Sequence, residues 1–426
     1  MTVDFALRLA SSAARVLAPS GGTVLIGKDT RLSGYMFEAA LEAGFVASGV
    51  NVLLIGPLPT PGIAYLTRRF DCSFGVVISA SHNPYEDNGI KFFDATGGKL
   101  SDELEEQIEL HLEDAPVTRT SRELGRAKRV DTSRTYYQEF CRGVLPSGLD
   151  LSGLKIVVDC ANGAGYKVAP RTLADLGADI VPIGCSPNGR NINDGCGSTA
   201  PELLQLTVPG VRANVGIGLD GDGDRVLMVD HLGRIVDGDQ LLYVIATALH
   251  ERGALRGPVV GTLMSNLGLE LALRRRGIGF ERAAVGDRYV LARLKETGGI
   301  LGGETSGHIL CLDQTTTGDG LVSALQVLAV MQQKQQSLAE LAAGMEKLPQ
   351  VLLNVHVDKR YDPVKVPEVA AALARVEGRL GNEGRVVLRA SGTEPVIRVM
   401  VETQDAAVAR AAAEEIAAVV RGVRAP

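Results

Sequence analysis

Short apolar runs punctuated by Gly and Pro alternate with stretches of helical period along most of the chain. Residues 23–27 and 51–55 predict buried strands, with a helix over residues 35–48 between them. Phe74–Ile78 predicts another strand. The rhythm returns over residues 154–159, 179–183 and 215–219, and again over 258–262, 281–284 and 299–302. Runs that are apolar on both sides suit parallel strands covered on two faces. Alternating β and α predicts α/β units joined by right-handed crossovers.

A polar, charged stretch over residues 118–135 separates the first unit from the second. Asp237-Gly238-Asp239 caps a long helix and opens the third, and Pro349 follows a predicted helix over residues 337–347. Beyond Pro349 the pattern changes. Strands over 351–357, 385–388 and 396–401 alternate with Ala-rich helices over 363–375 and 405–419, a small α+β unit. The division predicted is therefore 1–134, 135–235, 236–348 and 349–426. A length of 426 residues accommodates four domains if they are small.

Composition narrows the class. With 45% hydrophobic and 22% charged residues the chain is globular. A net charge of -6 gives no basic surface for nucleic acid. No run of about 18 apolar residues predicts a membrane span, and the start lacks the pattern of a signal peptide. The six cysteines form no Cys-x-x-Cys pair, which argues against a zinc site or disulfide framework and for reduced thiols in a cytosolic protein.

The chemistry concentrates in loops after predicted strands, where a rigid scaffold presents side chains. After Phe74–Ile78 comes Ser79-Ala80-Ser81-His82-Asn83-Pro84-Tyr85-Glu86-Asp87-Asn88-Gly89, with Lys91 just beyond. After Val215–Leu219 comes Asp220-Gly221-Asp222-Gly223-Asp224-Arg225. Three carboxylates at alternate positions converge where glycines let the loop curl, and such an oxygen set suits Mg²⁺. An EF-hand fails because Arg225 and His231 stand where that loop needs Gly and Glu. A solvated acidic hairpin fits poorly between two apolar runs. Serine needs activation to act as a nucleophile. His82, its sequence neighbour, diverges from it, and no Gly-x-Ser-x-Gly elbow occurs here, which argues against a Ser-His-Asp hydrolase. A phosphorylated Ser81 beside a metal that offsets its charge fits better. Lys91 could neutralise the same group or move a proton.

Two more loops complete the pattern. In Gly302-Gly303-Glu304-Thr305-Ser306-Gly307-His308, Glu304 and Ser306 can hydrogen-bond neighbouring sugar hydroxyls, and His308 is a candidate general base. In Arg389-Ala390-Ser391-Gly392-Thr393-Glu394-Pro395, with Arg398 beyond, hydroxyls, backbone N–H groups and two Arg form an anion cradle suited to phosphate. A basic loop, Gly27-Lys28-Asp29-Thr30-Arg31, either lines an anionic cleft or caps a helix. A phosphoryl carrier, a metal, a hydroxyl reader and a distal phosphate cradle together describe a sugar phosphate held at both ends.

On these loops the chain resembles the α-D-phosphohexomutase superfamily over essentially its whole length. Gly286-Asp287-Arg288-Tyr289-Val290, Thr315-Thr316-Thr317-Gly318-Asp319 and Gly261-Thr262-Leu263-Met264-Ser265-Asn266 make it similar to the bacterial phosphoglucosamine mutase branch. The resemblance implies an α/β fold of four domains around a central cleft: three similar mixed α/β sandwich domains and a C-terminal TATA-binding-protein-like α+β domain. It implies a cytoplasmic isomerase that interconverts glucosamine 6-phosphate and glucosamine 1-phosphate through a 1,6-bisphosphate, for UDP-N-acetylglucosamine and peptidoglycan synthesis. Ser81 would be the phosphoserine, and one Mg²⁺ per chain would sit on Asp220, Asp222 and Asp224 with Ser81. Glu304 and Ser306 would read sugar hydroxyls, and Arg389, Ser391, Gly392, Thr393 and Arg398 would hold the non-transferring phosphate. Arg288 would join in substrate binding, and Lys91, His82 and His308, in that order, are candidates for proton transfer and charge balance. The resemblance implies glucosamine or glucose 1,6-bisphosphate as activator and a hexosamine phosphate as partner. It implies neither nucleic acid nor membrane, and it leaves a homodimer open. The bisphosphate must turn around in the cleft, so a mobile fourth domain is expected.

One departure stands out. Members of this family begin with a strand and a Phe-Gly-Thr-Asp-Gly-Ile-Arg-Gly-like loop, whereas this chain starts at the following helix, Val3–Leu17. The expectation is an exposed edge in the first sheet and lowered activity. Competing readings are a phosphomannomutase/phosphoglucomutase, a catalytically impaired sugar-phosphate-binding relic and a metal-dependent phosphatase. Intact Ser81 and three intact Asp argue against long-standing loss of catalysis.

Overall fold

The apolar runs all fold as strands, with ends displaced by one or two residues. The computed structural model describes residues 1–359, 361–391 and 394–423, and these form four sheets. In the first, the order is Ile90–Asp94, Phe74–Ile78, Gly22–Lys28, Val50–Pro57 and Ala127–Arg129. In the second it is Ile235–Val236, Val226–Asp230, Val215–Leu219, Lys155–Asp159 and Asp179–Ile183. In the third it is Ile309–Cys311, Leu301–Gly303, Val259–Thr262 and Phe280–Ala283. The fourth is wholly antiparallel: Gln350–His356, Val396–Thr403, Gly384–Ala390.

The first three sheets share one plan. Three parallel strands lie in the order third, first, second, and an antiparallel strand pairs with the third through a hairpin. The sheets are thus mixed, where the apolar runs alone suggested parallel. The hairpin tip of each carries a loop singled out above: residues 79–89, 220–225 and 304–308. The phosphate-cradle loop joins two antiparallel strands of the fourth sheet.

Packing joins the first three units and sets the last apart. One apolar core runs unbroken from the first unit (Leu25, Ile63, Phe93) through the second (Ile156, Leu219) to the third (Val259, Leu301, Leu325). The last unit has a core of its own, with Val355, Val369, Ile397, Val399 and Ile416. Its two helices, Pro367–Leu380 and Ala406–Gly422, cover the sheet.

Two predicted helices change. The helix expected over 337–347 spans only Leu338–Ala342, begun by a Ser337–Glu340 capping box. Just past its end Gly344 lies against Tyr243, where a Cβ would stand 2.1 Å from the phenol oxygen. The helix expected over 363–375 is a 3₁₀ turn, Pro363–Lys365, followed by Pro367–Leu380. Val366 precedes a proline and stays extended, which restarts the helix at Pro367.

Asp319 ties the third unit to the second. It caps the helix Gly320–Lys334 by accepting from Val322 N at 2.9 Å, and it accepts from the buried Tyr137 hydroxyl at 2.8 Å. Burial pushes its carboxyl up to about 6 from 3.8. The folded value lies above the unfolded one, so the ionised group costs the fold about 3 kcal/mol above pH 6 and nothing below about pH 4. Asp319→Asn keeps an acceptor for Val322 N and removes the charge. Its stability relative to the parent should rise by about 3 kcal/mol between pH 4 and 7 in urea titrations, and a pH-independent difference would refute this assignment.

Candidate active site and metal centre

Ser81 and the acidic loop, 139 residues apart, meet directly. Ser81 Oγ donates to Asp220 Oδ2 at 2.7 Å. Ser81 is buried and takes φ +51°, a left-handed conformation rare for a residue with a Cβ. The acidic loop comes this close because Gly221 has no side chain: a Cβ there would lie 2.6 Å from the Ser81 carbonyl oxygen.

The carboxylates of Asp220, Asp222 and Asp224 converge, each offering an oxygen within 4.8 Å of the others. All three are buried. Asp222 Oδ2 accepts from Thr60 Oγ1 at 2.7 Å and from Lys91 Nζ at 2.8 Å. Burial opposes the Lys91 charge, but Asp222 and Asp224 outweigh it and hold its pKa above the ordinary value. Burial, then the Asp224 and Asp222 charges, push Asp220 well above the usual carboxylate range. Asp224 goes the other way: burial opposes its charge, but His308 more than offsets this and holds it low. Asp222 Oδ1 and Asp224 Oδ1 are buried without a hydrogen-bond partner among the described residues. Orphaned buried carboxylate oxygens are costly, and an all-oxygen set with two such atoms fits a hard divalent cation.

His308 does not sit on the cleft as a base should. It is buried, with Nδ1 3.6 Å from Asp224 Oδ2 and Nε2 3.4 Å from Asp287 Oδ2. Burial opposes its charge, but those two carboxylates raise its pKa. It is enclosed behind the acidic loop between two carboxylates, a place suited to charge balance more than to the proton transfer also expected of it. The motif glycine Gly318 makes room for the ring, since a Cβ there would lie 2.3 Å from Nε2. Asp287 also pairs with Lys99 of the first unit. His82, by contrast, is exposed, and partial desolvation with the Arg225 charge pushes its pKa down.

Glu304 and Ser306 are placed on the third hairpin tip, Ser306 exposed and Glu304 half-buried. Glu304 Oε1 accepts from Gly286 N at 2.9 Å, so the sugar loop and the Gly286–Val290 motif are neighbours. Arg288 itself turns away. It pairs with Asp102 at 2.8 Å and Glu105 at 3.6 Å on the first unit, in exposed ion pairs between the third unit and the first. Arg389 and Arg398 stand directly opposite each other across two antiparallel strands, and like charges so placed repel. Arg398 Nε is buried and finds no partner among the described residues, which fits an anion between the two. Ser391 is buried beside them. Gly392 and Thr393 lie outside the described residues.

The basic loop does not line a cleft either. Lys28 and Arg31 are fully buried, Lys28 against Glu38 and Arg31 against Asp29. Thr60 and Asn193 were not foreseen. Asn193 Nδ2 donates to the Ser81 carbonyl at 2.9 Å from the second unit. A threonine between two prolines and an asparagine in a polar loop carry no motif, and only their distant partners reveal them.

Family comparisons agree with this geometry. Four phosphoglucomutase/phosphomannomutase models match in order: alpha/beta/alpha domain I at residues 1–117, domain II at 136–233, domain III at 237–348, and the C-terminal domain at 352–419. Phosphoglucosamine mutase of Marinomonas sp. is 56% identical over 405 residues, covering 95% of this chain and 90% of that protein. Phosphoglucosamine mutase of Chromobacterium violaceum is 56% identical over 430 residues, covering 100% and 96%. The chain belongs to the bacterial phosphoglucosamine mutase family. Among solved structures, a phosphoglucomutase/phosphomannomutase family protein from Burkholderia thailandensis shares the fold at a TM-score of 0.83 and 24% identity, covering 99% of this chain and 94% of that one. Aspergillus fumigatus N-acetylphosphoglucosamine mutase, solved with GlcNAc-6P and magnesium, shares it at 0.66 and 21% identity, covering 85% and 92%. Among the described residues no helix is long and apolar enough to cross a membrane.

A metal-binding measurement tests the centre without turnover. Calorimetry with Mn²⁺ or Mg²⁺ should find one site per chain, and Asp222→Asn should weaken it by about ten- to a hundredfold. Equal affinity in the two proteins would place the metal elsewhere.

Proposed function

We propose that the protein interconverts glucosamine 6-phosphate and glucosamine 1-phosphate through a phosphoserine. The observation that carries this reading is the Ser81 hydroxyl on an acidic triad that still has two unpartnered oxygens, in a chain 56% identical to proteins named for this reaction.

Phosphorylated Ser81 gives its phosphoryl group to a hydroxyl of the sugar phosphate. The Oγ–P bond breaks, a sugar O–P bond forms, and the hydroxyl proton leaves. The resulting 1,6-bisphosphate turns around and returns its other phosphoryl group to Ser81. A Mg²⁺ held by Asp220, Asp222 and Asp224 would, when bound, neutralise charge on the transferring group. Lys91, held cationic by its carboxylate neighbours, balances charge on that group and can donate a proton, but it is a poor base. His82, exposed beside Ser81 with a lowered pKa, is the better acceptor for the hydroxyl proton. His308 and Asp287 act on Asp224 from behind. Arg389, Arg398 and Ser391 grip the phosphate that is not transferred, and Glu304 and Ser306 read the sugar hydroxyls. The separate core of the last unit supports its release and regripping of phosphate while the other three stay packed. A hexose or glucosamine 1,6-bisphosphate would load Ser81.

Peptide mass spectrometry should find phosphate on the Ser81 peptide, and Ser81→Ala should lower glucosamine-phosphate turnover by at least about 10³-fold without loss of folding. Wild-type rates in that variant would remove the covalent carrier. Arg389→Ala should raise KM for sugar phosphates by about ten- to a hundredfold, the size expected of a lost charge-assisted hydrogen bond, with kcat less affected. An unchanged KM would argue against the phosphate cradle. Comparable kcat/KM for glucose 6-phosphate would favour the phosphoglucomutase alternative.

A further inference from the structure

Arg31 is fully buried, yet it contacts no candidate substrate position. Every guanidinium proton is spent on the Ser81 loop and its support. Nε donates to Asp29 Oδ2 at 2.7 Å. Nη1 donates to the Asp87 carbonyl at 3.0 Å and to the Pro84 carbonyl. Nη2 donates to the carbonyls of Ser81 and Asn83, both at 2.9 Å. Four carbonyls of one eleven-residue loop thus converge on one planar guanidinium. The same carbonyls of Ser81 and Asn83 also accept from Asn193 Nδ2 of the second unit, at 2.9 and 3.0 Å.

The other end of the Ser81 residue is held by the same pair. Ser81 N donates to Ser79 Oγ at 3.0 Å, and Ser79 Oγ donates to Asp29 Oδ2 at 2.6 Å. Asp29 closes the ring onto Arg31 through both the Nε contact and the Arg31 backbone N, at 2.9 Å. Ser81 stands at φ +51°, a conformation that persists in a residue with a Cβ only where the surroundings over-determine it. Here the amide and the carbonyl of that single residue are both pinned. The Ser81 carbonyl is, in addition, the atom that a Cβ on Gly221 would strike.

We propose that Arg31 and Asn193 are positioning residues that lock Ser81 in this strained geometry and set the register of its Oγ against the metal loop, so that they govern phosphoryl transfer and not sugar-phosphate binding. This rests on the mutase reading of the site. Arg31 fixes the loop from within the first unit, and Asn193 fixes it from the second, the unit that carries the acidic triad. Lysine at 31 would keep the charge but lacks the planar fork that reaches four carbonyls at once.

The test compares the parent chain with Arg31→Lys and Asn193→Ala in two measurements on the same samples. In the glucosamine-phosphate assay, Arg31→Lys should lower kcat by about 10²-fold, the cost of misplacing a reacting group by an ångström. Asn193→Ala should lower it by about ten- to a hundredfold, as expected for two lost hydrogen bonds, and KM should stay near the parent value in both. In amide hydrogen exchange, peptides covering residues 79–89 should exchange faster while the neighbouring strands stay protected. If Arg31→Lys fails to fold, Asn193→Ala decides alone. Parent kcat with parent exchange in a folded variant would overturn the proposal, as would a rise in KM at constant kcat. Absence of turnover in the parent chain would sink the mutase reading instead, and loop exchange would then decide the clamp by itself.

Discussion

Three carboxylates whose oxygens lie within 4.8 Å of one another in a buried loop are the constraint to which the rest of the molecule answers. Removing one such charge from water is expensive, and placing three together adds mutual repulsion. The fold meets the cost with groups drawn from every side. Lys91 and Thr60 arrive from the first unit onto Asp222, and His308 arrives from the third onto Asp224. Asp287 stands behind His308, and Lys99 of the first unit stands behind Asp287. The chain of alternating charges thus stitches three units together through the one loop that none of them could leave isolated. What these groups leave unsatisfied, two carboxylate oxygens, is what gives the loop its chemistry.

The repeat explains how such a convergence is built. In each of the first three units the parallel strands run third, first, second, and the chain turns back from the third strand in a hairpin. A hairpin tip at the end of a central strand is rigidly placed yet free of ladder hydrogen bonds, so it tolerates unusual backbone and unusual charge. Ser81 at φ +51° and Gly223 at φ +72° sit on two of these tips. Three copies of one supersecondary plan packed on a shared core deliver three equivalent tips to one place, each carrying a different part of the proposed site. The fourth sheet uses another hairpin for a fourth part.

The loops were legible in the sequence because their chemistry is local. Ser81 with Lys91, the alternating Asp of 220–224, Glu304 with Ser306, and Arg389 with Ser391 each fall within a short stretch between apolar runs whose period marks the strands. What escaped depends on partners far along the chain. His308 looked like a base because a histidine in a Gly-rich loop is usually accessible; its burial follows from Asp224, Asp287 and the space at Gly318. The ion pairs of Arg288 were not legible, because its partner Asp102 stands 186 residues earlier, with Glu105 one helical turn beyond. Lys28 and Arg31 read as a loop that either lines an anionic cleft or caps a helix, since charged residues are seldom fully buried. Both are buried in pairs, Arg31 with the nearby Asp29 and Lys28 with Glu38 on the following helix.

The last unit follows a different physical rule from the others. Apolar cores are close-packed and resist sliding, so the continuous core of the first three units makes them one block. The fourth has its own core and meets the block through polar groups. Glu402, fully buried, accepts from Arg385 at 2.7 Å, from Leu267 N at 3.2 Å and from Asn266 Nδ2 at 3.2 Å. Arg385 in turn donates to the carbonyls of Leu263 and Ser265. This directional polar joint holds one end of the sheet face that the helices leave uncovered, and Arg389 and Arg398 face each other on that same face, four residues along the same two strands. A sugar bisphosphate that must turn around needs its grip to move while Ser81 and the acidic loop stay in register. On the proposed reading, a grip on the separately packed unit and a transfer centre among the three units that share a core satisfy both demands.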